Sequence, residues 1–331
     1  MTVAPEAAEQ PGRLRAVQQF LADTPVVVLV GVLVLLFVIT DLVNRSEVGD
    51  PFITWNQLST TFLVAAPLGM IAAGQTLVMF SGGVDLSVAF TATAAAFAAS
   101  WQGANGTVEG ILAGLAVGLG IGLANGVGVG IFRVNPLIMT LGTSSVTFGL
   151  LSIYAGRPFE KVVPNLLSTL GSDRFFEYLP ANLILWSAVA AVLILGLRYT
   201  GYGRMLYAVG DNPVAARFAG VRIWQVLVAV YALCGLFSAI GGLLLVGFTD
   251  NPDLGLATPY LLQSVAAVVI GGTSIFGGWG SYSGTILGVL ILTVLGSLLT
   301  LLDAEEWQRQ VIYGSIIIVL TAIYARVSSP E

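Results

Sequence analysis

The stretch LGLATPYLLQSVAAVVIGGTSIFGGWGSYSGTILGVLILTVLGSLLTLL, residues 254–302, contains no charged side chain. A helix needs about 20 apolar residues to cross the hydrocarbon core of a bilayer, so this run is long enough for two crossings. Gly277, Gly278 and Gly280 interrupt it, and glycine is disfavoured in the interior of a helix. The run therefore predicts two membrane helices separated by a glycine-rich break.

The whole chain has the composition of an integral membrane protein. Hydrophobic residues make up 56% of the 331 and charged residues 9%, with a mean hydropathy of +0.91; a water-soluble core of this size does not require such a balance. We predict an all-α integral membrane protein with about ten transmembrane helices, some interrupted or re-entrant. The charge-free runs are 24–40, 51–84, 86–108, 110–132, 134–156, 178–197, 223–249, 254–302, which supplies two helices, and 310–325.

An even number of crossings puts both termini on one side of the membrane. With the N-terminus inside, eight of the thirteen basic residues are cytoplasmic, as the positive-inside rule favours. We therefore predict a cytoplasmic tail over residues 1–23, which lacks an obvious signal cleavage site. A transmembrane domain follows over 24–326, with a cytoplasmic loop at 199–222, and a cytoplasmic tail ends the chain over 327–331.

Several segments interrupt the predicted helices. Pro67 lies inside the second run, and the glycine-rich segments 81–87 and 270–278 look alike, each closing a span that runs inward. Their likeness suggests an internal repeat. Broken helices at membrane depth are tolerated only against protein or water, and transporters often bind their passenger beside such breaks. The breaks therefore indicate a translocation path.

Asp85 is the one acid inside a predicted hydrophobic hairpin. A buried carboxylate needs partners such as the Ser87 hydroxyl or helix N-terminal N–H groups. Two interpretations stay open, a cap for the following helix and direct contact with the substrate. In the next helix, glycines recur at every fourth position and predict close packing against a neighbour: Gly114, Gly118, Gly122, Gly126 and Gly130.

The residue types exclude several classes of chemistry. The chain has no histidine and a single cysteine, Cys234, and it has no phosphate-binding loop ending in Gly-Lys-Ser or Gly-Lys-Thr. We expect no enzyme, metal, cofactor or nucleic acid partner. The spans carry few ionisable groups, which disfavours proton coupling. Neutral polar side chains suit an uncharged hydroxylated solute, although they also hold helices together: Gln75, Thr76, Ser87, Asn135, Thr140, Thr143 and Ser144.

The loop 199–222 contains a compact helix signal. Asn212 supplies an N-cap, Pro213 suits the first helical position, and Gly220 can adopt the left-handed conformation that ends a helix. The predicted helix, residues 213–219, is too short to cross a bilayer and carries Arg217. One interpretation is a surface helix that another protein grips. The other is a basic loop that only fixes topology.

Four blocks together resemble permease subunits of the ribose-type sugar importers of the ATP-binding cassette class, within the branched-chain amino acid and ribose permease superfamily. The resemblance covers residues 55–326. Ala89 and Ser81 depart mildly from the family pattern, where glycine and threonine are usual. The blocks are 74–76 with 81–87, 135–142, 203–220 and 270–288.

The resemblance implies a function and its partners. It implies a subunit of the bacterial cytoplasmic (inner) membrane that translocates a monosaccharide or similar polyol. A separate cytoplasmic ATPase drives transport, an extracytoplasmic binding protein delivers the sugar, and a second permease copy or a paralogue completes the dimer. The alternative function is a secondary carrier or facilitator for a small uncharged solute.

The resemblance also implies two groups of site residues. The ATPase-coupling group is Gly203, Arg204, Asn212, Pro213, Ala215, Ala216, Arg217 and Gly220. The group that lines or gates the path is Gln75, Gly82, Gly83, Asp85, Ser87, Asn135, Pro136, Thr140, Gly271, Gly272, Thr273, Ser274, Gly277 and Gly278.

Overall fold

The computed structural model describes residues 25–155, 162–175 and 178–328, and the predicted tail 1–23 lies outside them. The described part is almost entirely helical; its strands, β1 Arg174–Phe175 and β2 Leu179–Pro180, form a short antiparallel ribbon. The helices are α1 Pro25–Glu47, α2 Trp55–Phe80, α3 Val88–Gln102, α4 Thr107–Gly130, α5 Pro136–Ala155, α6 Asn165–Ser172, α7 Ala181–Tyr199, α8 Gly201–Asp211, α9 Pro213–Phe218, α10 Ile223–Thr249, α11 Tyr260–Ile270, α12 Tyr282–Leu301 and α13 Glu306–Ser328.

Seven of these helices are long and apolar enough to cross a membrane: α1, α2, α4, α5, α7, α10 and α12. The predicted all-α membrane fold is therefore confirmed. Helices α3 and α11, with 15 and 11 residues, also lie in charge-free runs but are shorter. At a rise of 1.5 Å per residue, α11 extends about 16 Å, roughly half of the hydrocarbon thickness. Both short helices adjoin the predicted glycine-rich breaks.

Helices α2 and α10 form the centre of the bundle. Every residue of α2 from Ala65 to Phe80 is buried, and α10 packs against α2, α3 and α4. The predicted glycine stripe of α4 faces α10, where a Cβ on Gly126 would lie 2.8 Å from the Cα of Val228. The predicted close packing is confirmed, because only a residue without a side chain permits this backbone approach.

The predicted interruption at Pro67 is wrong, because α2 continues through this residue. Proline removes one helical hydrogen bond and leaves the carbonyl four residues earlier, on Leu63, without its usual donor. The side chain of Asn182, at the start of α7, donates from Nδ2 to that carbonyl at 2.8 Å. A neighbouring helix therefore satisfies the carbonyl, as the bilayer interior requires.

We expect Asn182→Leu to destabilise the protein by about 1–3 kcal/mol, since it leaves the Leu63 carbonyl buried without a donor. Adding Pro67→Ala should restore most of this loss, because alanine at this position supplies the missing helical N–H. Chemical unfolding in detergent of the wild type, both single variants and the double variant measures the coupling. Equal losses from Asn182→Leu in the two backgrounds would show that the carbonyl is not the cause.

Candidate functional site at the meeting point of two helix breaks

The two glycine-rich breaks end their helices in the same way. At the end of α2, Gly83 N donates to Val78 O at 3.2 Å and Gly82 N to Met79 O at 3.0 Å. At the end of α11, Thr273 N donates to Val268 O at 3.2 Å and Gly272 N to Val269 O at 2.9 Å. Gly82 and Gly272 have φ of +79° and +82°, as this C-cap requires. The shared pattern supports the predicted internal repeat.

The two breaks touch each other through their backbones. Gly278 N donates to Phe80 O, the last carbonyl of α2, at 3.0 Å. A Cβ on Gly277 would lie 2.8 Å from the nitrogen of Gly82, and a Cβ on Gly82 would lie 3.1 Å from the carbonyl oxygen of Phe276. These glycines are therefore required both for their positive φ, +93° at Gly277, and for the close approach.

Helix α8 covers this meeting point. A Cβ on Gly210 would overlap the carbonyl of Phe80 and would lie 2.5 Å from the nitrogen of Gly278. The Tyr207 hydroxyl donates to Gly280 O at 3.1 Å, and its ring packs on Phe80 with centroids 4.8 Å apart. Burial raises the pKa of Tyr207 above its ordinary value, so the hydroxyl keeps its proton and remains a donor. Helix α8 is thus attached to both breaks.

Sequence reasoning missed α8, since it placed Gly203 and Arg204 in the coupling group without assigning them to a helix. A signal was present: the Thr200 hydroxyl accepts from Gly203 N at 3.2 Å, a typical N-cap. The buried positions Gly203, Leu206 and Val209 recur every third residue along one face. Arg204 is exposed, and its side chain lines a cavity between α7, α8 and α12.

The predicted short helix over 213–219 is confirmed as α9, Pro213–Phe218. The Asn212 side chain caps it, accepting from Val214 N at 3.1 Å and Ala215 N at 3.0 Å. Gly220 follows with φ +86°. The chain passes directly from α8 to α9, since Asn212 is the single residue between them. The two helices therefore form one capped unit.

The faces of α9 differ in their environment. Ala216 is buried and packs against the bundle, whereas Ala215 and Arg217 are exposed. Val214 and Phe218, one turn apart on one face, are 64% and 89% exposed. Sequence reasoning missed these two residues, although a Val and a Phe spaced by four in a capped surface helix are a readable signal. An apolar pair beside an arginine is typical of a protein interface.

Asp85 lies in the first break and is buried. Its Oδ1 accepts from Ser87 N at 2.8 Å and from Ser87 Oγ at 2.7 Å, so the predicted hydroxyl partner is confirmed. Asn125 of α4 donates to Ser87 Oγ at 2.8 Å, and Cys234 of α10 also borders the carboxylate. Among the described residues Asp85 has no ion-pair partner. The carboxylate thus holds the start of α3, where Ser87 is the N-cap residue.

The start of α5 packs against the same break. Thr140 Oγ1 accepts from Leu86 N at 3.1 Å, and Asn135 Oδ1 caps α5 by accepting from Leu137 N at 3.0 Å. Pro136 occupies the first helical position and lies near Gly83. Asn135 is exposed, whereas Thr140 is buried. The block 135–142 therefore positions α5 and contributes a buried hydroxyl to the site.

The structure brings most of the predicted path residues together but separates some. Around the first break lie Gly82, Gly83, Asp85, Ser87, Pro136, Thr140, Gly277 and Gly278. Gly271 instead packs on α12, where its Cβ would lie 2.5 Å from Gly284. Ser274 Oγ accepts from Phe276 N within the second break. Gln75 and Thr273 are fully buried, and neither side chain has a hydrogen-bond partner in the described structure.

Helix breaks that meet inside a bundle of membrane-spanning helices are typical of transporters. The comparison with known families agrees: residues 57–320 match the family described as "Branched-chain amino acid transport system / permease component". The chain belongs to this family. The family consists of permease components, so the chain is a transport subunit and not itself an enzyme.

Individual relatives cover most of the chain. It is 35% identical to the "Probable ABC transporter permease protein YphD" of Escherichia coli (strain K12), over 81% of each chain. It is 36% identical to the "Ribose import permease protein RbsC" of Bacillus subtilis (strain 168), over 76% of this chain and 79% of the relative. It is 30% identical to the "Fructose import permease protein FrcC" of Rhizobium meliloti, over 94% and 88%. No solved structure matches.

We expect Gly210→Ala to detach α8 from the two breaks, because its methyl group would overlap the Phe80 carbonyl. Gly201→Ala is the matched control, since a Cβ there lies 3.8 Å from its nearest neighbour, the Arg204 side chain. Trypsin cleavage after Arg204 and Arg217 should become at least about threefold faster in Gly210→Ala alone, as local opening becomes more frequent. Equal cleavage rates in the two variants would contradict this packing of α8.

Proposed function

We propose that this chain is the permease subunit of an ATP-binding cassette importer that carries a monosaccharide or similar polyol across the bacterial cytoplasmic membrane. The ribose and fructose import permeases among its relatives support the substrate class. The observation that carries the mechanism is the position of α8, which packs on both helix breaks and continues through Asn212 into the exposed helix α9.

In this mechanism a separate cytoplasmic ATPase binds α9. Phe218 and Val214 provide apolar contact area, and Arg217 provides a charge-assisted contact beside them. Ala216 packs α9 onto the membrane domain, and Asn212 and Gly220 cap its two ends. The remaining residues of the predicted coupling group belong to the two helices: Gly203 and Arg204 to α8, and Pro213 and Ala215 to α9.

Movement of the ATPase displaces α9, and α8 transmits this displacement to the two breaks beside the translocation path. A capped pair of short helices behaves as a rigid unit, so a displacement of α9 moves α8 with it. Gly210 and Tyr207 pass the displacement to the contact between Phe80 and Gly278. Because packed elements switch between discrete arrangements, the two breaks are suited to open and close one end of the path.

In this proposal the translocation path of the substrate lies beside the two breaks. Gln75 and Thr273 offer buried polar atoms without protein partners among the described residues. Such neutral donors and acceptors suit a sugar, whose hydroxyl groups need hydrogen bonds but no counter-charge. The Thr140 hydroxyl donates to Pro136 O and accepts from Leu86 N, so in this proposal it positions α5 beside the path. Asp85, which is 1% exposed and accepts twice from Ser87, holds the start of α3.

The proposed assembly has two further partners. An extracytoplasmic binding protein delivers the sugar to the opposite end of the path, and a second permease, an identical copy or a paralogue, completes the dimer. Both termini are cytoplasmic. The arginines of the α7 to α10 region support this orientation, since Arg198, Arg204, Arg217 and Arg222 all lie at the end that would then be inside.

Phe218→Ala should weaken ATPase binding by about thirtyfold, as expected of an interface hot spot. Phe132→Ala is the matched control, because Phe132 is 73% exposed in the connection between α4 and α5, outside α9. Binding of the purified ATPase to permease in nanodiscs measures the effect. Unchanged binding in Phe218→Ala, or equal losses in both variants, would contradict the assignment of α9.

The transport activity is tested by reconstitution with the ATPase and binding protein encoded beside this chain. Uptake of a labelled sugar panel into vesicles should require ATP and all three components. Arg217→Ala should lower uptake and substrate-stimulated ATP hydrolysis together, by about tenfold, since both depend on the same contact. Uptake by this chain alone, unaffected by ATP, would instead identify a facilitator or secondary carrier.

A further inference from the structure

A second feature at the same end of the molecule is a cavity of about 460 Å³ between α7, α8 and the start of α12. Arg198 and Arg204 line it, and the Arg198 guanidinium also lies over the Tyr199 ring, 5.4 Å from its centroid. No acidic side chain lines the cavity, and in the described structure neither arginine forms an ion pair. The cavity therefore carries a positive charge that no group of the protein neutralises there.

The remaining polar lining reinforces this charge. Ser281, Ser283 and Tyr207 also line the cavity. The Tyr207 hydroxyl donates to Gly280 O and the Ser283 hydroxyl donates to Ser281 Oγ, which leaves the Ser281 hydroxyl to donate to an anionic oxygen. Ser281 is the N-cap of α12, whose Oγ accepts from Gly284 N at 3.1 Å. The positive end of the α12 dipole thus lies at the cavity as well. Arginines, a hydroxyl group and a helix N-terminus together favour a phosphate group.

The apolar part of the cavity indicates the source of that phosphate. Ile194 and Leu197, on the last turns of the membrane-spanning helix α7, complete the lining. On the same helix Val192 and Leu195 are 73% and 55% exposed, which is an apolar surface for acyl chains. Arg198 follows at the end of the span, at the level of the lipid headgroups.

We propose that this cavity binds the headgroup of an acidic phospholipid, with the phosphate at Arg198 and Arg204 and an acyl chain along α7. Charge complementarity and the apolar wall carry the assignment, because basic pockets between membrane helices suit anionic lipid headgroups. The lipid assignment does not depend on which solute is transported. It shares Arg204 and Tyr207 with α8, so a bound lipid also contacts the helix that covers the two breaks.

Thermal unfolding of the delipidated chain in detergent tests the proposal. Phosphatidylglycerol should raise Tm in a concentration-dependent way, since a ligand that binds only the folded state stabilises it. Phosphatidylcholine and inorganic phosphate at equal concentration should not. Arg198→Gln should need about fivefold more phosphatidylglycerol for the same shift, which corresponds to one charge at the membrane surface.

Two further variants make the result specific. Arg222→Gln, an exposed arginine outside the cavity at the start of α10, should keep the wild-type response. Arg204→Gln should weaken the response as Arg198→Gln does, which keeps the test decisive if one variant folds poorly. An equal shift with phosphatidylcholine, or the same loss in Arg222→Gln, would overturn the site. An equal shift with inorganic phosphate would replace the lipid with a soluble anion and would also overturn the proposal.

Discussion

The hydrogen bond from Gly278 N to Phe80 O is the contact on which the arrangement of this end of the molecule depends. The last carbonyl groups of a helix have no donor within the helix. Here the second break supplies a donor to the last carbonyl of α2. The end of α2 and the second break therefore stabilise each other.

This contact restricts the residues around it to those without side chains. Gly82, Gly277 and Gly210 bring three backbone segments together at one point. Since bulk cannot be accommodated there, rotation or sliding of α8 must move the breaks with it or break the contact. A contact made by backbone atoms uses no substrate-specific side chain. In the proposed function it therefore suits a moving element that does not select the substrate, and other residues make that selection.

Much of this arrangement could be predicted from local sequence. The rest could not, because it depends on contacts between residues that are far apart in the chain. Helix α9 was predictable because Asn212, Pro213 and Gly220 act within a few residues of one another. The glycine stripe of α4 was predictable for the same reason. Helix α8 was missed because three glycines lower its intrinsic helix propensity: Gly201, Gly203 and Gly210. The helix is stabilised instead by contact with Phe80 and Gly280, which are distant in sequence. Asn125 and Cys234 reach Asp85 from distant helices, and their sequence spacing does not reveal this.

Asp85 illustrates how position decides between two roles that a sequence leaves open. Its Oδ1 accepts both donors of Ser87 and so holds the first turn of α3 next to the first break. A carboxylate in this position makes the α3 side of the break stiff, while the other side is attached to α8 through Phe80. A movement of α8 is then concentrated in the few residues between Phe80 and Asp85. Stiffness on one side and a movable attachment on the other are what a gate requires, and in the proposed mechanism this is the role of the buried acid.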